Sequence, residues 1–329
     1  MTEPRNPALA SLASVFPAAV VARLEEVEAR LAKQAASRDA RLGDWTRDSL
    51  AAGGKRIRPL LLLTCFEACG GESLGAQARS DALDSAVALE LVHTASLVHD
   101  DIMDEAKERR GKPSTYAAHG RDGAILVGDY LFTQAFALAA SLPKEAMGMT
   151  ADACRRLCEG QMREQELLAS GKPDREAYLA VIRDKTAALL AAGCGIGATM
   201  ARASPEAVAA LYRYGDLIGH AFQVLDDLLD VAGDPAWTGK PAGTDFAAGT
   251  LTSPYLNFVE RGGSLPARRD ASQFPAVRTR LFESGAVAAS QLEASGYTQA
   301  ALLELQRLPP SPARHSLERL AELLMERAA

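Results

Sequence analysis

Apolar residues recur at intervals of three and four almost from end to end, as in "ALDSAVALELVHTASLV", "AILVGDYLFTQAFALAASL" and "LYRYGDLIGHAFQVLDDLLDV". That spacing lines one face of an α-helix, whereas a half-buried strand alternates at every second residue. Alternating stretches joined by hairpin signals are nearly absent, so the pattern predicts an all-α chain. Alanine is abundant and only 5% of residues are aromatic; alanine loses no side-chain entropy in a helix and lets helices approach closely. Glycine and proline punctuate the pattern at "CGGESLG", "SLPKE", "ASGKPD", "GDPAWTGKPAG" and "RGGSLP", which predicts about ten or more helices of ordinary length. No low-complexity linker and no repeat of fixed period divides them, so residues 1–329 are expected to form a single domain. "GCGIG" at 193–197 imitates a dinucleotide-binding fingerprint, but it follows no strand and reads as close helix packing.

A formal charge of -6, with no basic stripe, argues against nucleic acid as a partner. The longest apolar runs fall short of the ~18 residues that a membrane span requires, so no membrane span is expected. Five cysteines, Cys65, Cys69, Cys154, Cys158 and Cys194, are an odd set better suited to a reducing cytoplasm than to a disulfide framework. Two pairs share i, i+4 spacing, yet no histidine stands at partnering distance, so small core residues are the simpler reading than structural zinc.

The segment "LVHDDIMDEAKERRG" carries the chemistry. An apolar helical run ends in Asp100, Asp101 and Asp104, and Lys107, Arg109 and Arg110 follow within two turns. On a helix Asp100 and Asp104 share a face, with Asp101 on the flank, and like charges so placed repel. One such cluster is most simply a solvated helix end. The pattern returns in "QVLDDLLDVAGD" as Asp226, Asp227 and Asp230, again closing an apolar run. Two matching clusters predict two helices presenting carboxylates across a cavity. Oxygen donors without histidine or thiolate suit Mg2+, which keeps waters and shares its shell with phosphate oxygens. "GGKRIRP" adds Lys55, Arg56 and Arg58 beside a glycine pair whose backbone can approach a phosphate, and arginine forks bind phosphate bidentately.

Together, "GGKRIRP", "LVHDDIMDEAKERRG", "GDYL", "DKTAAL", "FQVLDDLLD" and "GKPAGTD" resemble the trans-type isoprenyl (polyprenyl) diphosphate synthases, in order and in approximate spacing over nearly the whole chain. The resemblance implies the isoprenoid synthase fold, one large helical bundle around a central cavity, and a homodimer. It implies that Asp100 and Asp104, with Asp226 and Asp230 and the neighbouring Asp101 and Asp227, hold Mg2+ on the diphosphate of an allylic prenyl substrate. By the same likeness Arg109, Lys185 and Lys240 grip that diphosphate, and Thr186 and Gln223 line its reacting end. Lys55, Arg58, His93 and Arg110 match positions that bind isopentenyl diphosphate. His93 taken alone reads as a core histidine.

Product length is expected from Ala95 and Ser96, which stand one turn deeper than Asp100. Neither is bulky, and a turn of ~5.4 Å is comparable with one isoprene unit. A medium-to-long product is therefore expected, with Leu91, Val92, Phe132 and Phe136 as candidates for the floor. A geranylgeranyl or farnesyl diphosphate synthase, a class I terpene cyclase and a non-catalytic partner subunit are the alternatives. Thr250 stands where many relatives of the family carry a further lysine.

Overall fold

The computed structural model describes residues 15–233 and 242–328. Lys240 lies outside the described residues. Among them the chain is helical apart from one two-stranded ribbon, Glu108–Arg109 (β1) with Lys112–Pro113 (β2), so the all-α expectation holds. The chain divides into two compact units: residues 1–154, 192–212 and 307–317, and residues 155–191, 213–306 and 318–329.

In the first unit the long helix α4 (Ala76–Met103) packs on α1 (Ala18–Gln34), α3 (Ile57–Ala68) and α5 (Thr115–Ala139), and α2 (Ala40–Ala51) packs on α5. Helix α4 is apolar nearly all round through its middle: Ala86, Val87, Ala88, Leu89, Leu91 and Val92 are all buried. A helix of that kind is an interior helix. Its C-terminal turn ends at Asp104, whose backbone N–H still bonds the Asp100 carbonyl at 2.9 Å, so the first carboxylate cluster sits where the helix leaves the core. Ser114 caps α5, its hydroxyl accepting from Ala117 N–H at 3.0 Å.

The second unit holds the C-terminal part of α6 (Lys144–Ser170), then α7 (Arg175–Val181), a π-helical turn at Ile182–Ala187 and the start of α8 (Ala188–Met200). It continues with most of α9 (Pro205–Ala232), then α10 (Thr244–Ala248), α11 (Ser253–Glu260), α12 (Phe274–Glu283), α13 (Ala286–Leu305) and the end of α14 (Pro312–Ala328). Asp174 caps α7 through Ala177 N–H at 2.9 Å. Arg175, one residue on, ties α7 to α11 and α13 through Glu260 at 2.6 Å and Glu293 at 3.2 Å. Residues 193–197 of "GCGIG" are buried within α8. Cys65 and Cys194 are buried, and no group of three His, Cys, Asp or Glu that could hold a metal occurs among the described residues. Nor, among them, is any helix long and apolar enough to cross a membrane.

Candidate active site

In the second unit a cavity of about 290 Å³ is lined by Lys185, Thr186, Gln223, Asp226 and Asp227, together with Glu164, Lys172, Tyr178 and Thr250. Five residues singled out by sequence thus share one wall. Asp226 is exposed and Asp227 is buried, one residue apart on α9. Asp227 is wired inward: it accepts from Gln223 Nε2 at 3.0 Å and from the Tyr178 hydroxyl. Gln223 in turn accepts from Thr186 Oγ1 at 2.9 Å, so Thr186, Gln223, Asp227 and Tyr178 form one chain of hydrogen bonds. Burial lifts the Asp227 carboxyl to about 7, against the bonds from Tyr178 and Gln223 that favour its charged form. Lys185 donates to Glu164 at 2.5 Å.

Asp230 is committed differently. Its Oδ1 accepts from Thr244 N at 3.0 Å and Thr244 Oγ1 at 2.5 Å, and its Oδ2 accepts from Asp245 N at 3.2 Å. It therefore anchors the start of α10 and is not part of the cavity wall. Tyr178 and Glu164 were not identified from sequence. Tyr178 lies seven residues before Lys185, but the π turn that begins at Ile182 breaks the regular helical register between them, so spacing gives no signal for it.

Lys185 and Thr186 project from the π turn rather than from a regular helix. Such a turn carries one residue more than an α turn and recurs at functional sites. Room for it comes from glycines on the flanking helices. A Cβ at Gly160 of α6 would stand 2.8 Å from Lys185 N, and one at Gly219 of α9 would stand 2.5 Å from Ala187 Cα.

In the first unit Asp100 is half-buried and Asp104 exposed at the end of α4, while Asp101 is buried. Asp101 receives Arg109 as a fork, Nε at 2.8 Å and Nη2 at 2.6 Å on Oδ1, which fixes the ribbon that follows. Between its strands, Arg110 and Gly111 both have positive φ (55° and 73°). That is the two-residue hairpin geometry favoured by strand twist, with a strained non-glycine residue at its first position. The turn carries the Arg110 guanidinium back over Gly54, where a Cβ would stand 2.8 Å from Nη1.

Arg56 is turned inward. Its left-handed backbone (φ 48°) begins α3, and its guanidinium is buried on Glu28 at 2.6 Å and Glu90 at 2.8 Å. It is therefore a structural ion pair and not the phosphate-facing cation that "GGKRIRP" suggests. Arg58, His93 and Arg110 are brought together beside it. Among the described residues none of the three is ion-paired with a carboxylate, and the buried Arg58 Nε has no hydrogen-bond partner. Burial brings the Arg58 guanidinium down to about 10, with Glu90 opposing. Burial, then Arg58, Arg110, Arg109 and Arg56, hold the His93 imidazolium well below its usual range. This is a corner rich in donors and poor in acceptors, with Arg58 and His93 half-buried and Arg110 exposed, which suits a multiply charged anion.

The polyprenyl synthetase family profile matches residues 39–270. A short chain isoprenyl diphosphate synthase of Methanothermobacter thermautotrophicus is 38% identical over 291 residues, covering 84% of this chain and 88% of that protein. The chain belongs to the polyprenyl synthetase family. A nonaprenyl diphosphate synthase of Mycobacterium tuberculosis is 35% identical over 324 residues, 95% of each chain. The crystal structure of a polyprenyl synthase from Caulobacter crescentus CB15, complexed with calcium and isoprenyl diphosphate, superposes with a TM-score of 0.83 at 31% identity, covering 99% of this chain and 100% of that one. The synthase is thus a prenyltransferase of the trans-prenyl diphosphate type, and its relatives span short to long products.

The donor chemistry of the synthase fits a hard divalent cation. Asp226 in the second unit, and Asp100 with Asp104 in the first, offer oxygen atoms only. A protein that supplies one or two carboxylates and leaves the rest of the shell to water and phosphate is what Mg2+ prefers.

Proposed function

We propose that the synthase is a Mg2+-dependent, chain-elongating prenyltransferase that joins an allylic prenyl diphosphate to isopentenyl diphosphate and releases a medium-to-long all-trans polyprenyl diphosphate. The observation that carries this reading is the unpaired cationic corner of Arg58, His93 and Arg110 in the first unit. A class I terpene cyclase has no second diphosphate to bind and no use for such a corner, and a non-catalytic partner subunit has no use for the ordered cavity wall.

In this reading Lys55, Arg58, His93 and Arg110 bind the isopentenyl diphosphate headgroup. Neutral His93 donates one N–H, and the buried Arg58 Nε gains the acceptor it lacks. In the second unit Lys185 exchanges Glu164 for an oxygen of the allylic diphosphate, and Lys240 adds a further charge to that group. Thr186 and Gln223, ordered by Asp227 and Tyr178, sit at its reacting end. Arg109, whose fork Asp101 fixes, is assigned to a substrate diphosphate by the family likeness. Asp100 and Asp104 in the first unit, and Asp226 in the second, would each offer oxygen atoms to Mg2+, while Asp227 orders Gln223 and Tyr178 and Asp230 anchors the start of α10. When bound, the metal supplies positive charge where the leaving diphosphate becomes more negative. The side chains around it orient the substrate and keep water from the allylic carbon.

Ala95 is fully buried and carries one methyl group. The Ser96 hydroxyl turns back to the His93 carbonyl at 2.9 Å, so neither presents a bulky barrier, which supports a longer product. A cytoplasmic homodimer belongs to the same proposal and rests on the family likeness and the odd cysteine count. The test is incubation of the purified chain with farnesyl diphosphate, labelled isopentenyl diphosphate and magnesium, followed by sizing of the products. Label in a ladder longer than geranylgeranyl is expected. Label left wholly in isopentenyl diphosphate would point to the cyclase or the partner subunit.

A further inference from the structure

Behind the cavity wall, and outside the cavity itself, Asp184 is only 3% exposed and gathers three guanidinium groups. Arg156 Nε donates to Oδ1 at 2.9 Å, Arg163 Nη1 donates to Oδ2, and Arg183 spans both oxygens at 3.3 and 3.4 Å. Arg156 also donates through Nη2 to the Arg183 carbonyl at 2.9 Å. Arg156 and Arg163 lie two turns apart on α6, whereas Arg183 and Asp184 belong to the π turn. The network therefore ties that turn to a neighbouring helix through two bonds on the Asp184 carboxylate and one on the Arg183 carbonyl. Burial alone would push the Asp184 carboxyl up, but the bonds from Arg183 and Arg156 hold it below its ordinary value, so it remains a charged acceptor. Lys185 and Thr186 are the next two residues, and both line the cavity.

A π turn survives only where its surroundings over-determine it, because the extra residue costs helical hydrogen-bond geometry. Removing that residue's bulge would rotate the segment by ~100° per residue about the helix axis and carry Lys185 off the cavity wall. We propose that Asp184 is a positioning residue for the reaction: by clamping Arg156, Arg163 and Arg183 it holds the π turn in the register that presents Lys185 and Thr186 to the allylic diphosphate. This rests on the reading of the cavity given under Proposed function, and it adds a residue that touches no substrate.

The experiment is a double-mutant cycle of Asp184→Asn and Lys185→Ala, read as KM for each substrate and as thermal midpoint. Asp184→Asn is expected to raise KM for the allylic diphosphate about tenfold or more, the scale of loss from small misplacements, and to leave KM for isopentenyl diphosphate within about twofold. In the Lys185→Ala background the same substitution is expected to raise the allylic KM by several-fold less than it does in the wild type, the remainder being its effect through Thr186. Arg156→Gln, which removes two of the bonds and leaves the carboxylate charged, is expected to reproduce the selective rise; it serves if Asp184→Asn does not fold. Equal rises in both KM values that follow the fall in thermal midpoint, or full additivity with Lys185→Ala, would overturn the proposal. If Lys185→Ala alone leaves the allylic KM unchanged, the reading of the cavity fails, and the positioning role fails with it; additivity beside an active Lys185 effect overturns the positioning role alone.

Discussion

The cationic corner makes a quantitative demand on the pH dependence of stability. His93 is neutral in the folded protein because burial and the guanidinium groups of Arg58, Arg110, Arg109 and Arg56 oppose its protonation. In the unfolded chain it titrates near pH 6.5. Below that value the unfolded state binds the extra proton and the folded state does not, so stability is retained above pH 6.5 and is lost as pH falls toward the depressed folded value. The limiting slope is about 1.4 kcal/mol per pH unit, and between pH 7 and pH 5 the loss reaches at most about 2 kcal/mol. Urea unfolding of the wild type and of His93→Gln at half-unit pH intervals isolates this contribution, since the other titrating groups are common to both. The wild-type curve is expected to fall by up to that amount relative to the variant. Inorganic pyrophosphate is expected to shallow the difference by giving the imidazolium a counter-charge. Parallel curves for the two proteins would show that His93 protonates freely in the fold and would refute the account of the corner.

Three further outcomes follow from named contacts. Arg56→Met strands the buried Glu90 carboxylate and is expected to cost about 3–5 kcal/mol, much of it recovered by adding Glu90→Leu, as read from denaturant midpoints. Gly54→Ala places a methyl group against the Arg110 guanidinium; since that end of the arginine can swing away, the thermal midpoint should hold while KM for isopentenyl diphosphate rises several-fold. Ala95→Phe is expected to shorten the product, measured by chromatography of the dephosphorylated alcohols, and an unchanged distribution would remove Ala95 from the residues that set product length.

The helical architecture is legible because periodicity is a local signal: α4 and α9 can be traced by eye from their apolar spacing. The two aspartate clusters are legible for the same reason, as is the sharing of one wall by Lys185, Thr186 and Gln223 once the family likeness supplies a frame. The fate of Arg56 is not. Its partners Glu28 and Glu90 lie 28 and 34 residues away, so "GGKRIRP" gives no hint that its first arginine is ion-paired with carboxylates and its second is not. Asp100 and Asp101, adjacent in sequence, differ by ~100° around the helix, and only the arrival of Arg109 shows that Asp101 is committed to it. The π turn is equally hidden, because "IRDKTA" reads as ordinary helix. Its cause lies in glycines on two other helices, Gly160 and Gly219, and in arginines of α6, and a helical pattern cannot announce what its neighbours leave room for.

The most direct test of the central claim is the initial rate of label transfer from isopentenyl diphosphate by the Asp100→Ala/Asp226→Ala protein, at saturating substrates and magnesium. Charge stabilisation of several kcal/mol at the leaving diphosphate predicts a fall of about three orders of magnitude or more, with the fold intact by circular dichroism. A rate within about twofold of wild type would contradict it.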